Sequence, residues 1–290
     1  MSDDDVRARR VHAPTVLDTY RAIRLAVVLL VLLLATAVAT QALTTGCWQT
    51  SLSAYYWTGA HDVVVGVLCA VGACLLVYRG SSPLEDTLLD LSGFLAFVVA
   101  LVPAAREPSC GPAMLAPQDM AVDGVRANVL AALLVAALAQ AVAAVLERRG
   151  AVVRERSGPA DVVRALAWVL ALAGGVVAVA DPDRLAASGH DVAAPAMFAG
   201  IVVVVAINAW QDQVARRARY ARVYAVIALA MLVTLAGVGL LRFVVVPEWT
   251  HAVLVVEALL VAEFAAFWLV QTVELWHVAD RRELMPPSRG

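Results

Sequence analysis

The chain has 290 residues, of which 62% are hydrophobic and only 16% charged, whereas soluble domains carry about 25% charged residues. A net charge of −2 is too small to suggest a nucleic-acid partner. All 22 basic residues are arginine, which excludes Schiff-base chemistry on lysine and, with the Ala, Val and Leu bulk, reads as the bias of a GC-rich bacterial genome.

The useful count is of apolar runs near 20 residues, each long enough to cross about 30 Å of hydrocarbon. Residues 1–20 read as a loose cytoplasmic tail. The first run, Ala26 to Ala42, is longer than a signal-peptide core and lacks a small-residue cleavage site. Helices are then predicted over Arg21–Ala42, His61–Tyr78, Glu85–Ala104, Val125–Leu146, Val162–Ala180, Pro195–Trp210, Val223–Leu241 and Thr250–Val273. The fifth is interrupted by Gly174 and Gly175. The fold class is therefore all-α: a polytopic transmembrane bundle of about eight helices over 21–276, followed by a cytoplasmic tail over 277–290.

Arginine fixes the orientation, because cytoplasmic flanks retain positive charge. With the N-terminus inside, the inner segments hold Arg7, Arg9, Arg10, Arg21, Arg24, Arg79, Arg148, Arg149, Arg154, Arg156, Arg164, Arg216, Arg217, Arg219, Arg222, Arg281, Arg282 and Arg289. The outer margins hold only Arg106, Arg126, Arg184 and Arg242. Both termini are thus expected in the cytoplasm of a bacterial inner membrane. Trp48, Tyr55, Tyr56, Trp57 and Trp249 fall at the outer boundary, and Tyr78, Trp210, Tyr220 and Trp276 at the inner one, as headgroup-level rings do.

The segment Ser51-Leu-Ser-Ala-Tyr-Tyr-Trp-Thr58, followed by His61-Asp62-Val-Val-Val-Gly66, carries a resemblance. So do Tyr78-Arg79-Gly80, Arg222-Val-Tyr224, Glu257-Ala258-Leu259 and Trp268-Leu-Val270. Together they resemble a group of uncharacterised bacterial polytopic membrane proteins of the domain-of-unknown-function type, distantly like the Frag/DRAM family. His61 stands where that pattern has arginine, and the fifth and sixth helices look like an insertion into a six-helix plan. The resemblance implies a fold and no established activity.

Four constellations have chemistry to weigh. Cys69 and Cys74 lie within the second helix and read as small packing residues. Cys47 and Cys110 fall in successive outer loops, where an oxidising compartment favours a disulfide. At the outer mouth, Ser51, Ser53, Tyr55, Tyr56, His61 and Asp62 gather. They fit either an aromatic belt with a helix-start charge or a vestibule for a ligand or lipid headgroup. Glu257 lies about 10 Å into the last helix by its rise, with Arg126 as the predicted partner. Glu263 lies deeper, and Asp90 sits inside the third helix with Arg79 or the Arg216–Arg222 group as partner. Intramembrane acids need such partners or serve a working site.

No nucleophile elbow, phosphate loop or His-Glu-x-x-His stands in the chain, and no cofactor is implied. His12 and His190 read as solvated. The leading expectation is a non-enzymatic membrane protein whose outward vestibule takes a lipid or small molecule, or which scaffolds another membrane protein. A proton-coupled transporter using Asp90, Glu257 and Glu263 is the alternative. A metal-dependent membrane hydrolase built on His61, Asp62 and His251 is the third. The topology is directly testable: impermeant labels should reach positions near Ser109 and Ser188 from outside, and those near Ser157 and Ala218 only from inside. Labelling of Ala218 from outside would overturn the eight-helix alternation.

Overall fold

The computed structural model describes residues 3–104, 119–151, 155–240, 250–278 and 281–284. These residues form α1 (Asp3–Thr45), α2 (His61–Val77), α3 (Pro83–Leu101), α4 (Asp119–Arg148), α5 (Gly158–Ala180), α6 (Pro182–Val214), α7 (Ala218–Leu240) and α8 (Ala252–Glu274). Two 3₁₀ turns lie at Ser53–Trp57 and Arg281–Leu284. Among the described residues there is no strand.

Local chemistry sets the helix starts. Ser82 Oγ accepts the Glu85 N–H at 3.2 Å ahead of Pro83, and Ser157 Oγ accepts the Ala160 N–H at 3.3 Å ahead of Pro159. Asp181 caps Arg184 at 3.0 Å with Pro182 next in line. A side-chain acceptor at the cap and a proline in the first turn, where its missing N–H costs nothing, are start signals. The Asp181–Pro182 signal overrides the expected start at Pro195. Pro195 instead lies inside a 33-residue α6, where it forfeits one backbone bond in a helix braced by α3. α1 likewise begins at Asp3, so the stretch expected as a loose tail extends the first helix.

Six helices close a ring in the order α1, α2, α3, α6, α7, α8, each packed on the next and α8 back on α1. The α4–α5 hairpin lies outside it, against α3 and α6. The pair of helices outside the ring is thus the fourth and fifth, and α6, expected to be set apart with the fifth, is a ring member. α4 and α5 are apolar yet barely buried; Leu134 and Leu172 are each 71% exposed. Such a surface needs an apolar solvent. Among the described residues six helices are long and apolar enough to cross a bilayer: α1, α4, α5, α6, α7 and α8. α2 is apolar but has 17 residues, and α3 carries Glu85, Asp86 and Asp90.

Small residues hold α2, α3 and α6 close. A Cβ on Gly93 would stand 2.7 Å from the Gly72 carbonyl oxygen, and one on Gly72 would stand 2.8 Å from that of Gly93. A Cβ on Gly200 would meet the Ser92 hydroxyl at 2.5 Å. Backbone-to-backbone approach of this kind replaces the missing hydrophobic drive between helices in lipid. Gly93→Ala should therefore cost about 1–3 kcal/mol through overpacking. Gly66→Ala, with nothing within 4 Å, should be neutral or slightly stabilising. Unfolding midpoints in mixed micelles measure both, and an unshifted Gly93→Ala would contradict this helix spacing.

Candidate functional site

The ring helices alternate in direction, which leaves two ends. The upper end carries the 46–60 loop. The lower end carries the α2–α3 and α6–α7 connections and the terminal 3₁₀ turn. A polar centre lies at each.

At the upper end α1 stops at Thr45 and the chain reverses at Gly46, whose φ of +66° suits glycine. Ser51 Oγ accepts the Ala54 N–H at 3.0 Å and starts the 3₁₀ turn. Glu257 reaches the same turn from α8. Its Oε2 accepts the N–H of Leu52 at 2.6 Å and of Ser53 at 3.4 Å, and its Oε1 lies 3.1 Å from Ser53 Oγ. Further bonds fasten the loop down. The Leu254 N–H donates to Thr50 O at 3.0 Å, and Trp57 Nε1 donates to Ala104 O at 3.0 Å. His251 Nε2 lies 3.2 Å from Trp48 O.

His190 completes the corner. It sits on α6, buried, with Nε2 2.9 Å from Ser53 Oγ and Nδ1 2.9 Å from Val102 O. The expectation of a solvated loop histidine fails because α6 starts thirteen residues earlier than its proline suggested. Ser53, Tyr56, His190 and Glu257 line one side of a cavity of about 60 Å³, and Leu34, Val64, Leu68, Val99, Met197 and Phe198 are among its apolar walls. That is room for a couple of water-sized groups.

The predicted vestibule residues divide. Ser53, Tyr56 and Glu257 meet at the cavity. Ser51 caps the turn above it, and Tyr55 is fully buried with its hydroxyl 3.5 Å from the Gln49 N–H. Burial pushes both Tyr55 and Tyr56 above the usual phenol range, so both stay neutral. His61 packs edge-on against Tyr56, 4.4 Å between ring centroids, and Asp62 is exposed in the first turn of α2, where a carboxylate suits the helix dipole. Arg126 is exposed on α4. The predicted Glu257–Arg126 tie is replaced by backbone and hydroxyl donors, because α4 stands outside the ring. Asp90 pairs with Arg79 at 3.6 Å, one of its two expected partners. Glu263 takes the Thr234 hydroxyl at 3.0 Å and has its other oxygen buried without a partner. Cys69 and Cys74 are free thiols within α2, and Cys110 lies outside the described residues, as does Trp249. His61 and His251 belong to separate contacts, and no three metal-binding side chains gather among the described residues.

The corner can be read by counting protons. Val102 O can only accept, so His190 Nδ1 carries a hydrogen. Ser53 has one hydroxyl proton for two neighbours, Nε2 and Oε1. Either Glu257 is ionised and accepts it, with His190 Nε2 donating as an imidazolium, or Glu257 is protonated and donates to Ser53, which donates to a neutral His190. Both arrangements hold one proton more than an ionised Glu257 beside a neutral His190. The three groups thus form a hydrogen-bonded relay through the Ser53 hydroxyl. The Ser53–His190 pair also has the outline of a nucleophile and base. The Leu52 and Ser53 N–H groups that could stabilise an oxyanion are, however, already taken by Glu257.

At the lower end all six ring helices or their ends contribute polar groups. Glu85 of α3 accepts from Asn208 at 2.9 Å, from Gln211 at 3.5 Å and from the Ser81 N–H at 2.8 Å. Glu274 of α8 takes Arg217 at 2.5 Å, the Tyr224 hydroxyl at 2.5 Å and Arg281 at 2.6 Å. Arg281 also bonds Asn208 and lies 3.8 Å from Asp212. Arg24 of α1 donates to Tyr78 at 3.2 Å and to Leu275 O at 3.1 Å. Glu85, Asp212 and Glu274 thereby face Arg24, Arg217 and Arg281. Only Arg217 keeps appreciable exposure. The 277–290 stretch, expected as a free tail, supplies the central cation. Sequence reading passed over this centre because Asn208, Gln211, Asp212, Gln271 and Glu274 lie at the ends of apolar runs, where polar residues normally mark the water boundary. Their i, i+3, i+4 spacing, one helix face, was the available signal.

No family model, curated protein or solved structure matches the chain.

Proposed function

We propose that this chain is a multi-pass inner-membrane protein whose upper cavity faces outward and takes the polar head and first carbons of a small amphiphile at Ser53, His190 and Glu257, the rest of the chain lying outside the cavity between the helices. The observation that carries the reading is the single convergent polar corner on an otherwise apolar cavity, the arrangement expected of a small-molecule site. Glu257 and Glu274 both lie on α8, about 25 Å apart by helical rise, so the two polar centres fit opposite faces of one bilayer. Trp48 at the upper end and Trp210 and Trp276 at the lower are exposed, as interface anchors should be. The arginine distribution then gives eight spans with the lower end and both termini cytoplasmic. A Cys47–Cys110 bond belongs to the same reading, clamping the 46–60 loop from its outer side.

The relay restricts the head group. With His190 neutral, an ionised Glu257 repels an anion and welcomes an ammonium or a hydroxyl. It also favours a second reading, proton-coupled binding and release, in which an arriving ammonium displaces a proton from the relay. An apolar layer of Leu260, Phe264, Phe267 and Trp268 lies between the two centres, which is why ligand binding stands ahead of transport.

Thermal unfolding in detergent with octylamine, octanol and octanoate tests the proposal. Octylamine and octanol should raise the midpoint saturably, octanoate should not, and Ala194→Trp, which fills the cavity, should abolish the response. Glu257→Gln mimics the protonated acid, so it should fold within about 1 kcal/mol of the wild type, retain the octanol response and lose the preference for the amine. Equal responses to all three head groups, unchanged in Ala194→Trp, would sink the reading.

A further inference from the structure

The guanidinium of Arg281 is wholly buried, although it belongs to a 3₁₀ turn whose next two residues are exposed. One side chain enters the ring, and every group that receives it comes from the ring. Asn208 accepts at Nη1, Glu274 at Nη2 over 2.6 Å, Tyr224 Oη stands 3.4 Å from Nη2, and Asp212 lies 3.8 Å from Nε. The Tyr224 ring lies beneath the cation, 5.2 Å from Cζ. Planar charge, forked acceptors and an aromatic face are what a guanidinium selects over a compact ammonium.

The acceptors outnumber what Arg281 supplies. Asp212 Oδ2, Gln211 Oε1 and Gln271 Oε1 are buried without a partner. They belong to side chains that line the same centre from α6 and α8. Among the described residues the buried donors without a partner include Arg281 Nε and Trp268 Nε1. Removing Arg281 would leave Glu85, Asp212 and Glu274 with Arg24 and Arg217, and Arg24 is committed to Tyr78 and Leu275 O. A buried negative charge without a partner is strongly unfavourable, so the emptied centre demands a cation.

We propose that the lower end of the ring is a binding site for guanidinium-type cations, and that Arg281 is its tethered occupant. When the terminal turn lifts away, the site takes a free guanidinium or an alkylguanidinium in its place. The site is independent of the upper cavity, and neither reading depends on the other.

Chemical rescue tests it. Arg281→Ala should unfold several degrees below the wild type in detergent, and about 10 mM guanidinium chloride should recover at least half of the loss saturably, as a ligand that binds only the folded state does. Matched sodium chloride or tetramethylammonium chloride should not. The wild type, its site filled, should show no gain, and Arg281→Ala combined with Glu274→Gln should lose the rescue. An Arg281→Ala midpoint equal to the wild type, or a loss that guanidinium does not repair, would overturn the proposal. If Arg281→Ala does not survive extraction, limited trypsin digestion puts the question to the wild type. Free guanidinium competing for the site should free the turn and speed cleavage after Arg281 several-fold over sodium at equal ionic strength. Equal rates in the two salts would overturn it as firmly.

Discussion

The fold depends on a balanced set of charges sealed inside its lower end. Three carboxylates and three arginines, drawn from α1, α3, α6, the α6–α7 connection, α8 and the terminal turn, neutralise one another where water is scarce. Burying each ion costs several kcal/mol and is repaid only when geometry and hydrogen bonds are complete. That requirement makes the network selective. A shift of α1, α3, α6 or α8 by one turn would strand a charge, so the network specifies how these helices sit as well as holding them. The α4–α5 hairpin contributes nothing to it and, consistently, stays outside the ring.

The two ends of the ring solve different problems. The lower end is filled, with Arg281 at its centre and Tyr78, Tyr224 and Trp268 packed around it. The upper end is closed by a loop rather than by a charge network. That loop is held by backbone N–H groups and by one carboxylate from 205 residues away in the chain. Backbone donors orient a carboxylate without supplying a full counter-charge, which leaves room for a mobile proton. A small apolar void remains beneath it. The contrast is one of packing: one end is filled by paired charges, and the other keeps a void beside polar side chains.

Much of this was legible in the sequence, and the exceptions have identifiable causes. Helical character and the apolar runs follow from composition and length. Glu257 stood out as a deep acid, and the Ser51 to Tyr56 segment singled out with it is the loop it bonds. Its partner was misjudged because arginine is the obvious mate for a buried acid, whereas main-chain N–H groups, the actual donors, carry no signature in sequence. His190 was lost to Pro195, since a proline inside a helix looks like a boundary until the packing that tolerates it is known. Arg281 was invisible for a different reason: an arginine pair past the last span is indistinguishable from a topology signal. Only the fold reveals that it turns back into the ring.

A double-mutant cycle between Glu274 and Arg281 tests the central claim most directly, with unfolding free energies measured for Glu274→Gln, Arg281→Met and the double variant in one detergent. If the two share the buried network, each single change strands the other's charge. The double variant should then be less destabilised than the sum of the singles by at least about 1.5 kcal/mol. Effects that add to within about 0.5 kcal/mol would mean that the two side chains do not meet inside the ring, and would contradict the account.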